Sequence, residues 1–525
     1  MSKADLSNSA FWADTIASEL IETWKAERYH IESGITPSGT IHIGNFREVI
    51  THDFIRRALE DRGHDVEFYY IWDDYDRFRK VPKNMPRQDM LAEHIGKPVC
   101  DIPDPTGEHE SYARMNEALF EAELEQVGIP VTYVYQAEEY RRGAYVERIR
   151  EALQATDTIK GILDAYRKEP LREGWLPVQI YSRWSGTDET EITDYDGEYA
   201  LTYRCDVSGR EETIDFRDDH RVKLRWRVDW PMRWAHKDIH FEAAGKDHHS
   251  AGSSYDTGKR IIRDVWDREP PSTVIYNFVT PKGMGGKISS SAGNAITVTD
   301  VLEVYTPEIL RYLFAGSRPN AEFSIPFDDN VLKVYEDFDT LERDYYAFDT
   351  AQTKDQIQTA RIYEMSVLNP HAIPDEQPLQ PPFRQLVMLS QVTDSDAHVL
   401  EHFEVRSEAD EERVRTRTRC ALNWAKTYAP PSWRYTRNTT VPEGFEVSDA
   451  ERAVFSVVLE RLEAGDDAES LADAMKEAMN EHDVKPKDFF KTAYTLLVNN
   501  TNGPRLAPYL VAEKERAVGL LTMIV

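Results

Sequence analysis

The 525-residue chain predicts an α/β protein. An open α/β nucleotide-binding domain is interrupted by an insertion and followed by an all-α region. Three observations carry this. An apolar run at 29–35 precedes Pro37-Ser-Gly-Thr-Ile-His42-Ile-Gly-Asn45 and an amphipathic stretch to about Glu60, which reads as strand, turn and helix. A second apolar run, 66–72, completes a strand–helix–strand crossover of the kind that builds parallel sheets. Beyond about Phe327 the apolar spacing is helical almost throughout.

Taken in order, Trp12, Ile16, Leu20, Ile21 and Trp24 predict a leading helix over 11–28. The strand at 29–35 follows, then a helix from His42 to about Glu60, stopped at Asp61-Arg62-Gly63-His64. The strand at 66–72 runs into Asp73-Asp74-Tyr75-Asp76. In open α/β sheets ligands bind at the carboxyl ends of strands, so these acids are well placed. From about Lys83 the pattern changes to a proline-rich turn (102–105), helices at 112–127 and 145–166, and a β-like stretch over 176–216. Strands at 238–241 and 273–279 resume the sheet, around a helix near 258–266. A proline-rich linker at 369–382 breaks the final helical part. The expected division is 1–98 and 229–326 for the two halves of the nucleotide domain, 99–228 for the insertion, and 327–525 for the helical domain.

Composition narrows the class. A chain this long exceeds one core. Hydrophobic content of 41% and aromatic content of 11% support packed domains. No apolar run approaches the roughly 18 residues of a membrane span, the first residues lack signal-peptide character, and the three cysteines make no disulfide framework. A cytoplasmic protein is expected, without membrane contact. The 93 acidic against 63 basic side chains leave a net charge of −30, which ordinarily argues against a polyanionic partner. At molar salt the Debye length falls to about 3 Å and bulk repulsion is screened, so a salt-adapted protein escapes that argument.

Two distant segments share one chemistry. His42 at a helix start, followed by Gly44 and Asn45 and preceded by Pro37 and Gly39, suits the phosphates of ATP, because free amides, the helix dipole and an imidazole donor favour anions. Gly286-Lys287-Ile-Ser289-Ser290-Ser291 is a glycine-rich loop whose ammonium and hydroxyls can close on pyrophosphate as charge builds. Gly245 and Asp247, just after the strand at 238–241, suit close approach to a ribose and its hydroxyls.

These paired segments resemble the HIGH and KMSKS signatures of class I aminoacyl-tRNA synthetases; Ser290 stands where the second lysine is usual. Residues 33–49, 72–82, 229–234 (Asp-Trp-Pro-Met-Arg-Trp), 240–259, 286–294 and 502–510 resemble the class I lysyl-tRNA synthetases, the mainly archaeal form. The resemblance implies a Rossmann-type catalytic domain with an inserted connective, stem-contact region, and an α-helical anticodon-binding cage. It further implies ATP with Mg2+, lysine and tRNA(Lys) as substrates, a monomer, and activation that needs bound tRNA. It places the lysine pocket at Gly34, Thr36, Trp230 or Trp234, His248 and Tyr276. Asp73, Asp76 and Glu242 are candidate partners for the substrate's ammonium groups. Family members often carry zinc in the insertion. Here Ser182, Ser185, Cys205 and Ser208 occupy the ligand positions, and hydroxyls are poor zinc ligands, so no structural zinc is expected. Arg415, Arg417, Arg419, Trp433, Arg434 and Arg505 are candidate tRNA contacts, by stacking and guanidinium chemistry.

The expected activity is ligation of lysine to tRNA(Lys) through lysyl-adenylate, with His42, Asn45 and Lys287 in the catalytic roles. A glutamyl or cysteinyl enzyme of the same class, a small-molecule adenylyltransferase, and a non-catalytic tRNA-binding paralogue are the alternatives. Asp73-Asp-Tyr-Asp76 disfavours the glutamyl reading, and scattered cysteines disfavour the cysteinyl one.

Overall fold

The computed structural model describes residues 2–283, 296–393 and 395–525. A leading helix, Trp12–Trp24, stops when Lys25 turns left-handed at φ 49°, earlier than the expected 28. Strand β1 (Arg28–Ile35) then feeds the helix Ile43–Glu60, termed the signature helix, and β2 (Asp65–Trp72) lies parallel to β1 over its whole length. The next strand, β3 (Thr132–Tyr135), pairs parallel with β2. The sheet therefore takes in part of the stretch 99–228 expected as insertion alone; at four residues β3 is too short to carry a periodicity signal.

The insertion proper follows. Its helical part breaks at Ala155 into Val146–Gln154 and Thr156–Asp164 rather than running through 145–166. Strands β4 (Val178–Ile180), β5 (Thr190–Tyr195), β6 (Ala200–Cys205), β7 (Glu211–Asp215) and β8 (Val222–Leu224) form two small antiparallel sheets, β4–β8 and β5–β6–β7. The helix Trp226–Lys237 returns the chain to the main sheet and ends where Asp238 turns left-handed at φ 53°. That stop pushes the next strand later than the expected 238–241. Residues 240–245 align beside β1 through the His240 amide on the His30 carbonyl and the Glu32 amide on the Phe241 carbonyl, and end in β9 (Ala244–Gly245). After the helix Ser254–Trp266, β10 (Ile275–Tyr276) pairs parallel with β9.

The spatial order β3–β2–β1–β9–β10, all parallel, reverses direction beside β1, the place where such sheets bind ligands. The expected strand 273–279 is split. The Asn277 amide leaves the ladder for the Pro319 carbonyl, and the chain restarts as β11 (Val279–Lys282), which pairs with β12 (Phe323–Pro326).

From Asn330 onward the described chain is helical, beginning with Asn330–Tyr346 and Lys354–Ser366 and ending with Lys514–Thr522. Its core is continuous with the sheet's: Tyr335 stacks on Phe383 at 3.6 Å, and buried Trp424 donates to the Phe327 carbonyl. Each such fully buried side chain contributes roughly 1.5–3 kcal/mol. The insertion has a separate core, which also claims Trp230 and Trp234 from the helix Trp226–Lys237. Among the described residues no helix is long and apolar enough to cross a membrane.

Candidate active site

His42 is the N-cap of the signature helix. Its Nδ1 accepts the Gly44 amide at 3.0 Å, and the Asn45 side chain returns the contact by accepting the His42 amide at 3.2 Å. An acceptor Nδ1 makes the neutral ring carry its proton on Nε2, which becomes the donor. Burial lowers the imidazole pKa and favours that neutral form. Gly44 is required by the ring itself: a Cβ there would lie 2.8 Å from His42 Cε1. The amides of Asn45 and Phe46 both go to the His42 carbonyl. The expectation of free amides at this helix start is therefore corrected, and Asn45 acts as a cap that fixes His42. Ahead of it, the turn is pinned by Asn116 on the buried Pro37 carbonyl, Tyr112 on the Ser38 carbonyl and Asn84 on Thr40; Gly39 sits half-buried between.

The remaining amide of the helix start, that of Ile43, donates to the Ile296 carbonyl at 2.7 Å. Lys287, Ser289, Ser290 and Ser291 lie outside the described residues. The chain that carries them leaves from β11 at Lys282 and rejoins the described structure at Ile296, against His42's neighbour.

Beside this start, polar side chains gather at the end of β1 in a cluster termed the polar recess. Gly34 packs on β2 so closely that a Cβ would lie 2.5 Å from the Ile71 carbonyl oxygen. Across from it, Trp230 donates to both oxygens of Glu242, and Trp234 donates to the same carboxylate. Trp230 also meets the His248 ring edge-on at 5.6 Å. Tyr276 donates to Glu48, which also accepts the Ser33 hydroxyl at 2.8 Å. Burial pushes the Glu48 carboxyl up to about 7. Burial also raises Glu242 well beyond its ordinary value, and the neighbouring charges of Glu32 and Glu48 add to that rise. Glu48, one and a half turns into the signature helix, escapes sequence reading; it looks like any helix-surface acid until Tyr276 meets it from 228 residues away.

Two of the three expected ammonium partners are already engaged. Asp73 is buried and paired with Arg233, which also meets Asp229 at 3.1 Å and Glu32 at 3.4 Å. Asp76 holds the buried ammonium of Lys223 at 2.9 Å and accepts the Thr36 hydroxyl at 3.3 Å. Charges this deep are tolerable only when paired, so Lys223 and Arg233 replace a substrate ammonium as the partners of those aspartates. Neither cation is anticipated from sequence; a single lysine in β8 has no local signal.

The other candidates divide. Gly245 carries the exposed Asp247 so closely above it that a Cβ would lie 2.7 Å from Asp247 Oδ1. Arg417 is buried against Asp339 at 2.6 Å and is a core ion pair, which corrects its assignment as a tRNA contact. Arg415 pairs with Glu411 one turn away. Trp433 is half-buried against Trp424, at 6.3 Å. Arg419, Arg434 and Arg505 are exposed. Asn500 donates to the Ser432 and Arg434 carbonyls and Thr436 to that of Val498, so the segments carrying Arg434 and Arg505 are neighbours.

In the insertion the four knuckle positions do converge. Ser185 Oγ lies 3.7 Å from Cys205 Sγ. Burial opposes ionisation of the Cys205 thiol, but hydrogen bonds from Ser182, Ser208 and Ser185 outweigh it and lower the thiol to about 7. One sulfur and three hydroxyls do not fit structural zinc. Among the described residues no group of three or more His, Cys, Asp or Glu is placed to hold a metal ion.

A family model described as tRNA synthetases class I (K) matches residues 10–369, which holds every main-sheet strand and the whole recess. The chain belongs to that family. Curated relatives support the match along nearly the full length. The lysine–tRNA ligase of Borreliella burgdorferi is 39% identical over 508 residues, covering 96% of each chain. That of Pyrococcus furiosus is 41% identical over 519 residues, covering 95% of this chain and 97% of the relative. That of Methanocaldococcus jannaschii is 33% identical over 524 residues, with 95% and 97% covered. This class I synthetase thus carries its signature helix, its polar recess and its lysine–serine segment in one matched region.

Proposed function

We propose that this synthetase joins L-lysine to tRNA(Lys) at the expense of ATP. A carboxylate oxygen of lysine attacks the α-phosphorus, the bond to pyrophosphate breaks, and lysyl-adenylate forms. The terminal 2′-hydroxyl of the tRNA then attacks the adenylate carbonyl, loses its proton and displaces AMP. His42 offers its Nε2–H to the phosphates, and Lys287 with Ser289, Ser290 and Ser291 meets the leaving pyrophosphate. Mg2+ enters with the nucleotide. Asp247 takes the ribose hydroxyls. The recess of Gly34, Thr36, Trp230, His248 and Tyr276 takes lysine, with Glu48 and Glu242 as the carboxyls that ionise against its two ammonium groups. Little acid–base chemistry is needed; alignment and charge stabilisation carry the rate.

The observation that supports this reading is the Ile43–Ile296 hydrogen bond, which seats Ile296, five residues after Ser291 in sequence, beside the helix capped by His42. The two carboxyls in the recess favour a cationic amino acid over glutamate. Exposed Arg419, Arg434 and Arg505 are the tRNA contacts of the helical domain. The charge of −30 fits work in molar salt, inside the cytoplasm of a salt-adapted archaeon, as a monomer. Pyrophosphate exchange with each amino acid in turn, with and without tRNA in molar KCl, tests it. Exchange driven by lysine is expected. Exchange driven by glutamate or cysteine, or none, overturns it.

A further inference from the structure

We propose that Lys223, on the last strand of the insertion, is a positioning residue for the amino-acid pocket. The proposal rests on the lysine reading above.

Lys223 is 1% exposed. Its ammonium spans two carboxylates, Asp76 at 2.9 Å and Asp229 at 3.3 Å, lies 5.4 Å over the Tyr140 ring, and donates to the Leu224 carbonyl. The two aspartates lead to different walls of the recess. Asp76 accepts the Thr36 hydroxyl, and Thr36 is the first residue beyond β1. Asp229 holds Arg233, whose Nη1 reaches Asp73, and the Asp73 amide donates to the Ile35 carbonyl at 3.0 Å. Both routes end at the same two residues, Ile35 and Thr36, on the rim beside Gly34.

Tyr140, whose ring faces the ammonium, and Leu224, whose carbonyl accepts from it, belong to the insertion's core, whereas Tyr29 and Ile31 of β1 belong to the catalytic one. A buried ammonium between two bodies with separate cores is costly unless paired. Its pairing forces β8, the Asp73–Asp76 turn and the end of β1 into one relative placement. The geometry therefore makes Lys223 the pin between the insertion and the pocket rim. Without it, Asp76 loses its cation and turns toward solvent, and the Thr36 hydroxyl loses a fixed acceptor. The affected quantity is the pocket's fit to lysine; the His42 end of the site is held separately by Asn45 and Ile296.

The test uses the full-length protein with tRNA in the exchange assay. Lysine-driven exchange by the unaltered protein must first be seen; its absence sinks the lysine reading and is distinct from any effect of the variants. Lys223→Met and Asp76→Asn are each expected to raise KM for lysine about tenfold, the size of one charge-assisted hydrogen bond. KM for ATP stays within about twofold, and Lys223→Arg recovers part of the loss. Lys223→Met combined with Thr36→Val is expected to cost less than the sum of the two single losses, since one of the two routes from Lys223 runs through the Thr36 hydroxyl. Asp76 is on the edge of the network, 16% exposed, so Asp76→Asn decides the matter if Lys223→Met does not fold. An unchanged KM for lysine in folded Asp76→Asn, or an equal rise for ATP, overturns the proposal.

Discussion

The indole N–H of Trp230 reaches both carboxylate oxygens of Glu242, at 3.0 and 2.9 Å. Trp234 donates to the same group, so a buried acid is held by two neutral donors, and no salt bridge reaches it among the described residues. Neutral donors orient the carboxyl while burial favours its protonated form, and an arriving ammonium draws it toward the ionised one. Trp230→Phe keeps the ring and removes the hydrogen bond. It is expected to raise KM for lysine about tenfold, with KM for ATP unmoved, in the exchange assay. Equal loss for both substrates would return Trp230 to plain core packing.

The same recess predicts a pH dependence. Burial lifts Glu48 to about 7 from an ordinary 4.5. An arriving ammonium favours the ionised form and lowers that value, so lysine binding expels a proton wherever the free protein holds one. Affinity for lysine is expected to strengthen as pH rises through about 7 and then level off. Calorimetry in buffers of different ionisation heat should show more proton release at about pH 6 than at about pH 8. The stability sign is opposite for the ligand-free protein. The folded form binds more protons than the unfolded chain between pH 4.5 and about 7, so stability falls as pH rises across that window.

Sequence is informative where chemistry is local. His42, Gly44 and Asn45 lie within four residues, and their cap geometry follows from residue type. The helical C-terminal part is legible for the same reason, since its periodicity repeats every turn. What sequence conceals is long-range. Asp73 and Asp76 advertise a cation site, but whether the cation is substrate or protein depends on Arg233 and Lys223, about 150 residues away and without a motif. Arg417 reads as one of three alternating arginines; only the packing of Asp339 beneath it turns it inward, while Arg419 stays exposed. Residue 238 reads as strand because Ile239 and Phe241 alternate beyond it, and the left-handed stop at Asp238 is a backbone event with no periodic trace.

The net charge of −30 leads to a salt prediction. Self-repulsion among surface carboxylates weakens the fold when the Debye length is long. Raising KCl from about 0.1 M to about 2 M is expected to lift Tm by roughly 10 °C, followed by calorimetric scanning. A flat or falling Tm would remove the salt-adapted reading while leaving the site untouched.

The serine knuckle can be asked directly. Ser182, Ser185 and Ser208 already surround Cys205 within hydrogen-bonding reach. The triple variant Ser182→Cys, Ser185→Cys, Ser208→Cys is expected to bind one Zn2+ per chain by elemental analysis, because four thiolates at this spacing make a tetrahedral site. The unaltered protein is expected to bind none at this knuckle. Failure of the triple variant to take up zinc would mean that the knuckle backbone has drifted from metal geometry.

Arg417 and Arg419 separate structure from recognition within one helix, Glu408–Thr427. Arg417 is 1% exposed and bidentate to Asp339, at 2.6 and 3.1 Å. Removing it leaves a buried carboxylate without its cation, which costs about 3–5 kcal/mol. Arg417→Ala should therefore lower Tm sharply, and any loss of aminoacylation should follow the unfolded fraction. Arg419→Ala should leave Tm unchanged, because an exposed side chain contributes little to stability. If Arg419 meets a tRNA phosphate, the variant binds tRNA more weakly, and the slope of log affinity against log salt falls by roughly one counterion. Filter binding across a KCl series reads both quantities. A folded Arg419→Ala with an unaltered salt slope would exclude that face of the helix from the tRNA interface and leave Arg434 and Arg505, on their adjacent segments, as the contacts to test next.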